Sequence, residues 1–347
     1  MTKYEEELRY WSQQKRIWEN LEGKTILISG ISGAVGRCLT ELFMLHGGIQ
    51  VIGISRNEQT AKDCLEKYWD SNFFRYLPCD VNTPIPECGS VDYIIHAASN
   101  THPKQYAQDP IGTITANVFG TKNMLDYGIS HGLRRFCFVS SVEIYGENRG
   151  DKRKFDESYL GYLDCNTLRA GYPESKRLGE ALCNAYGEKY GVDFVIPRLS
   201  RVYGPTMLNS DSKAISQFIK KAKSGEDIVL KSRGEQEYSY VFVLDAAVGI
   251  VWSLVFGRRG EAYNVTDENS EITLKELAEG LAKLAGTRVV YEQSDEMERK
   301  GYSAATRAVL DGRKIAQIGW QARIGMEEGL MDTVGAKRKY RRYGDCI

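Results

Sequence analysis

From Lys24 onward the apolar residues of this chain alternate between two arrangements. Short continuous runs, the pattern of strands buried on both faces, alternate with stretches whose apolar residues recur every three or four positions, the pattern of amphipathic helices. The runs are Thr25 to Ile28, Gln50 to Ile54, Phe73 to Pro78 (ending at Asp80), Tyr93 to His96, Arg135 to Val139 and Asp193 to Ile196. Helices are predicted over Val35 to Leu45, Pro110 to His131 and Tyr172 to Tyr190. Repeated strand, turn and helix predict an α/β fold built on a doubly wound parallel sheet.

After Pro197 the rhythm changes. Helical segments over Ala214–Ser224 and Leu274–Ala285 mix with short strands and loops, which predicts a smaller C-terminal α/β lobe. The expected division is a Rossmann-type domain over 23–196, to which 241–265 returns with a helix over Asp245 to Phe256. A substrate lobe would take 197–240 and 266–335. Before the first strand, Leu8, Trp11, Lys15 and Trp18 fall at helical spacing, so residues 4–20, within an extension over 1–22, read as one amphipathic helix packed on its own domain or on a dimer mate. The tail 336–347 carries the basic run Lys337 to Arg342, read as a solvated end.

Composition narrows the function classes. The 347 residues hold 46 Lys+Arg against 46 Asp+Glu, which removes a bulk electrostatic grip on nucleic acid or an anionic membrane. The eight cysteines are scattered, with no C-x-x-C pair and no metal-ligand spacing to a histidine, so no metal is expected. The charged N-terminus lacks the apolar core of a signal peptide, and Val241 to Phe256 is too short to span a bilayer and is broken by Asp245. A reduced, cytoplasmic setting is the expectation.

Gly30, Gly33 and Gly36 follow the first strand and open a helix at G-x-x-G-x-x-G spacing. Glycines let the chain turn tightly and approach a pyrophosphate, while the helix N-terminus offers free N–H groups and a positive dipole end. With Ser32, Ala34 and Val35 this turn is expected to cradle a dinucleotide. The second strand ends Ser55-Arg56-Asn57, where an acidic residue would hold the ribose 2′-hydroxyl of NAD. The guanidinium of Arg56 suits a 2′-phosphate, which favours NADP(H), with NAD(H) still accepted.

Tyr172 and Lys176 lie four residues apart and share one helix face. A neighbouring ammonium is expected to lower the phenol pKa from about 10 and so make an acid–base pair. Ser140 or Ser141, after the fifth strand, would orient the substrate oxygen.

With these motifs, and with Asp80-Val81, His96-Ala97-Ala98, Asn117-x-x-Gly120-Thr121, Ser140-Ser141-x-Glu143-x-Tyr145-Gly146, Arg198-x-x-x-Val202-Tyr203-Gly204-Pro205 and Tyr263-Asn264-Val265, residues 24–335 resemble the extended short-chain dehydrogenase/reductases, the NAD-dependent epimerase/dehydratase family. The resemblance implies enzymes acting on nucleotide-activated sugars, commonly as homodimers. It implies that Asp80 and Val81 flank the adenine, that Ala97, Ala98, Ser99, Asn117, Ser140 and Leu199 belong to the cofactor site, and that Ser141, Tyr172 and Lys176 form the catalytic triad. The stretches His96 to Thr113 and Leu168 to Lys176 look most like UDP-glucuronate decarboxylases, and Glu143 matches the glutamate such enzymes place near C5.

Four departures stand out. Val142 replaces an aspartic acid or serine, Arg56 replaces the usual acid, Arg201 stands where an asparagine commonly meets substrate, and Tyr238 where an arginine commonly clamps the pyrophosphate. Arg201 is expected to take over the charge missing at Tyr238, making both substrate-binding positions. Arg56 and Val142 favour a net NADPH-dependent ketoreductase giving a nucleotide-linked alcohol. Glu143 and the regional similarity favour a decarboxylase or 4,6-dehydratase with internally recycled NAD. A catalytically silent NADP sensor is the third reading, against which the intact Ser141, Tyr172 and Lys176 weigh.

Overall fold

The computed structural model describes residues 1–101, 103–293 and 305–335. The basic run over 337–342 lies outside them.

Strands β1 (Thr25–Ser29), β2 (Gln50–Ser55), β3 (Phe74–Pro78), β4 (Tyr93–His96), β5 (Arg135–Phe138), β6 (Ser140–Ser141) and β7 (Phe194–Leu199) form one parallel sheet. β1 pairs with both β2 and β4, so the strand order reverses there and opens a crevice at the carboxyl ends of the strands. Apart from the two-serine β6, these strands have apolar residues facing both ways, because both sheet faces are covered. One face packs α3 (Ala34–His46) and α4 (Glu58–Leu65), the other α6 (Pro110–Ser130) and α7 (Gly171–Tyr190).

β7 runs through Pro197, where the sequence pattern predicted an end at Ile196. A proline has no N–H to give a neighbouring strand. The sheet accommodates this: the β5–β7 ladder stops at Cys137–Val195, and pairing resumes only at Ser140–Arg198. That gap lies beside the residues that carry the candidate chemistry.

The chain then leaves the sheet through β8 (Arg201–Tyr203), α8 (Ala214–Ser224), β9 (Ile228–Leu230), β10 (Glu237–Tyr238) and β11 (Tyr240–Phe242), and returns through α9 (Val243–Phe256) to β12 (Glu261–Val265), which pairs with β7. α9 is almost wholly buried and packs against α3. β13 (Ile272–Thr273), α10 (Leu274–Ala285) and β14 (Val289–Tyr291) complete a lobe whose core is continuous with one face of the sheet.

The N-terminal segment is two helices, α1 (Lys3–Ser12) and α2 (Lys15–Trp18), not one. A single straight helix would carry Lys15 on the buried face with Trp11 and Trp18. The break at Gln13–Gln14 leaves Lys15 exposed while Ile17 and Trp18 are buried, and Trp18 Nε1 donates to the Trp11 carbonyl at 2.8 Å. α1 packs on its own chain: the Lys3 and Tyr4 amides donate to Asp332, and Glu7 pairs with Arg323 at 2.8 Å. Among the described residues no helix is long and apolar enough to cross a membrane.

Candidate active site

The turn after β1 is glycine by necessity at two places. Gly30 has φ +74°, and a Cβ there would lie 2.8 Å from the Ala98 backbone. A Cβ on Gly36 would fall 2.2 Å from the Gly30 carbonyl oxygen, so α3 could not approach the turn. No side chain caps α3, which leaves its first N–H groups free for an anion. Opposite, the Ser29 hydroxyl bonds His96 Nδ1 at 2.7 Å and accepts the amides of Ala97 and Ala98 at 3.2 and 3.1 Å. One buried hydroxyl thus fixes both sides of the crevice.

A cleft of about 1080 Å³ runs from this turn into the lobe. It brings together Gly30, Ser32, Gly33, Ala34, Val35, Gly36, Arg56, Asp80, Val81, Ala97, Ala98 and Ser99 at one end, and Ser140, Ser141, Glu143, Tyr172, Lys176, Leu199, Arg201 and Tyr238 further in. Asn117 does not reach it. It is buried on α6, and its Nδ2 donates to Ser175 Oγ at 2.9 Å, bracing α6 against α7. The glycine turn and the free helix end at the head of this cleft fit the pyrophosphate of a dinucleotide. No group of three or more His, Cys, Asp or Glu side chains is placed to hold a metal among the described residues.

The two serines part company. Ser140 donates to Glu180 at 2.6 Å, and Glu180 is held in turn by Arg198. The Ser141 hydroxyl accepts the Glu143 amide at 3.3 Å and faces Tyr172, whose pKa it lowers.

The expected lowering of the Tyr172 pKa by Lys176 is not found. Burial pushes the phenol up to about 12, Ser141 and Arg169 pull against it, and the Glu143 carboxylate adds to the rise. Burial likewise drags Lys176 down to about 7, with Glu180 opposing. Its Nζ donates to the Val139 carbonyl at 2.8 Å, within the gap that Pro197 leaves in the sheet, and sits over the Phe138 ring. Desolvation outweighs the helix-face pairing that the spacing implied.

Glu143 is paired with two guanidiniums in the cleft. Arg169 Nη2 lies 2.6 Å from one carboxylate oxygen and Arg201 Nη2 3.5 Å from the other. Burial raises its pKa, but the two guanidiniums outweigh burial and hold the carboxyl below its ordinary range, hence ionised. Arg201 stacks on the Tyr238 ring at 3.7 Å, so the two departures are in direct contact. Tyr106, on α5 (Pro103–Gln108), stacks on Tyr172 at 4.8 Å between ring centres, and Arg169 lies over Tyr106.

Neither Arg169 nor Tyr106 is singled out by the sequence pattern. Arg169 sits one turn before Tyr172, a spacing that could have marked it. Tyr106 lies in a polar stretch with no periodicity to mark it. Arg56 has no hydrogen-bond or ion-pair partner among the described residues.

The NAD dependent epimerase/dehydratase family model matches residues 26–266. The chain is 30% identical to UDP-glucuronic acid decarboxylase 1 of Xenopus tropicalis over 320 residues, covering 91% of this chain and 72% of the relative. It is 30% identical to UDP-glucuronic acid decarboxylase 6 of Arabidopsis thaliana over 310 residues, covering 88% and 86%. In structure it resembles a Streptomyces venezuelae dTDP-glucose 4,6-dehydratase solved with NAD (TM-score 0.79, 25% identity, 91% and 97% covered). A Bacillus cereus UDP-glucuronic acid 4-epimerase shares the fold at TM-score 0.77 and 19% identity, with 90% of this chain and 98% of that one covered. The chain belongs to the NAD dependent epimerase/dehydratase family and is an enzyme of the extended short-chain dehydrogenase/reductase type.

Proposed function

We propose that this enzyme oxidises a ring hydroxyl of a nucleotide-linked sugar, performs chemistry at the neighbouring carbon, and closes the redox cycle on the same coenzyme. This is the decarboxylase or 4,6-dehydratase class of reaction, and the relatives' names support it. The observation that carries it is Glu143. Hydride transfer by itself has no task for a buried carboxylate held ionised beside Tyr172 by two guanidiniums. A reaction that moves charge or a proton at the adjacent ring carbon does.

When bound, NAD(P) supplies the hydride acceptor and, in its oxidised form, a cationic ring. The proton acceptor is the phenolate form of Tyr172, which Ser141, Arg169 and the cationic ring of the bound coenzyme favour against burial; it would take the hydroxyl proton to become the neutral phenol and give it back when the cycle closes. Ser141 orients the reacting oxygen. Lys176 retains its tie to Val139 and orients the coenzyme ribose. Tyr106, packed on Tyr172, and Tyr238, beneath Arg201, line the cleft and exclude water from it.

A net NADPH-dependent ketoreduction is the second reading, favoured by Arg56, which has no partner among the described residues, and by Val142, which can neither give nor take a proton. Coenzyme stoichiometry decides between them. A closed cycle consumes no NAD(P)H per product formed, and one-for-one oxidation of NADPH would establish the net reductase instead. NADP(H) preference belongs to that second reading. Ile111 and Phe119 on α6 and Leu178 on α7 are exposed apolar side chains; we assign them to a homodimer contact, which sedimentation of Phe119→Glu tests.

A further inference from the structure

Lys176 and Glu180 lie one turn apart on α7, both are buried, and both side chains are tied to the same strand end. The Lys176 Nζ donates to the Val139 carbonyl at 2.8 Å, and the next residue, Ser140, donates its hydroxyl to Glu180 at 2.6 Å. Arg198 is the register partner of Ser140 on β7, and it grips the same carboxylate through Nε at 3.0 Å and Nη2 at 2.6 Å. Its Nη1 is anchored on the Tyr145 hydroxyl and the Glu157 carbonyl. Two adjacent strands thus fix the carboxylate one helical turn from the ammonium.

A buried ammonium needs an opposing charge, because burial otherwise drives it to release its proton. The titratable groups that face Lys176 are Glu180 and Cys183 on α7 and His96 at the end of β4. Burial pushes the Cys183 thiol far up and the His96 ring down to about 3, so neither carries a charge near neutrality. Among the described residues Glu180 is therefore the group that offsets the burial of Lys176. Arg198, Arg177 and Tyr145 face Glu180 in turn, but none of the three is felt at Lys176.

We propose that Glu180 is a positioning residue for coenzyme binding: held by Ser140 and Arg198, it keeps Lys176 charged for the coenzyme ribose. This rests on the assignment of Lys176 to that ribose above. Lys176 and Ser140 line the cleft, whereas Glu180 is not among its lining residues, so Glu180 acts through its neighbours. Pro197 serves the same arrangement. The lapse in the β5–β7 ladder beside it leaves the Val139 carbonyl to Lys176, while pairing resumes at Ser140–Arg198, the two residues that hold the carboxylate.

The test is binding of NADH to the full chain, followed by fluorescence as a function of pH. NADH serves because its reduced ring carries no positive charge to compete with Lys176. In the wild type the Kd should rise at least about threefold between pH 6 and pH 8.5, as Lys176 of the free enzyme loses its proton. Glu180→Gln should move that rise to lower pH by about one unit, weakening binding at least about threefold at pH 7 but less than about twofold at pH 5.5. Glu180→Asp, which keeps the charge on a shorter stem, should recover at least about half of the shift. Lys176→Met should flatten the profile, and adding Glu180→Gln to it should change the Kd less than about twofold. Thermal melts show which variants are folded. Glu180→Gln leaves Arg198 without its anion. Were it to fail to fold, Glu180→Gln combined with Arg198→Gln removes both charges and carries the same test, since Arg198 is not felt at Lys176. A loss of affinity equal at every pH overturns the proposal in favour of a purely structural ion pair, as does an effect of Glu180→Gln that persists in the Lys176→Met background. A wild-type profile without pH dependence overturns it together with the ribose role of Lys176. The reaction class stands or falls separately, on coenzyme stoichiometry.

Discussion

Lys176→Met should stabilise the coenzyme-free protein while abolishing turnover. Burial moves the Lys176 pKa from 10.5 in an open chain to about 7. At roughly 1.4 kcal/mol per pH unit, folding at pH 7 therefore carries about 4–5 kcal/mol of desolvation cost at this one group. The sign follows from proton counts. Between pH 7 and 10.5 the unfolded chain holds the proton and the folded one releases it, so stability rises with pH across that window. Below pH 7 both states are charged and the full cost persists. Methionine removes the cost but forfeits the 2.8 Å bond to Val139 and the contact over Phe138. Losing that bond leaves a buried carbonyl short of a donor, worth about 1–3 kcal/mol. A net gain of about 1–4 kcal/mol at pH 7 remains, which for 347 residues raises the melting temperature by a few degrees, on the order of 1–5 °C. The assay is urea or thermal unfolding of both proteins without coenzyme at pH 7 and pH 9.5. The advantage should shrink steadily as pH rises. A variant less stable than wild type at pH 7, or an advantage independent of pH, refutes the claim that Lys176 is a desolvated cation.

Three further outcomes are expected. Gly36→Ala should fold poorly or lose NAD(P) binding by at least about a hundredfold in a fluorescence titration, because its Cβ would lie 2.2 Å from the Gly30 carbonyl oxygen. Arg56→Glu should shift the ratio of NAD to NADP affinity toward NAD by at least about tenfold, since it places an acid where the ribose 2′-hydroxyl is expected; an unchanged ratio would show that Arg56 does not meet that ribose. Glu143→Gln leaves Arg169 and Arg201 without their anion and should cost about 3 kcal/mol of stability, read from urea midpoints. A lowered carboxylate pKa stabilises the fold above the ordinary carboxylate range and loses that contribution as pH falls through the folded value. The gap between wild type and Glu143→Gln should therefore close in acid.

What the sequence determined by itself is whatever depends on near neighbours. The strand runs and helix periods from Lys24 to Tyr190 record which side chains face a sheet covered on both sides, and that pattern is local. The glycines at 30 and 36 announce a turn that tolerates no Cβ, and the fold and family follow from these with the Tyr172–Lys176 spacing. The break between α1 and α2 and the passage of β7 through Pro197 were not legible. Each is settled by a partner far along the chain: the buried surface that takes Ile17 and Trp18, and the interrupted ladder beside Val139. The electrostatics of the cleft were decided only by tertiary structure. A four-residue spacing puts a phenol and an ammonium on one face, but how much water each retains depends on everything packed around them. Here burial raises one group and lowers the other, opposite to the local expectation. Likewise, Glu143, Arg169 and Arg201 come from three separate elements, and the stacking of Arg201 on Tyr238 turns two separate departures into one contact. Charge and solvation act through space, so only the folded chain could assign them.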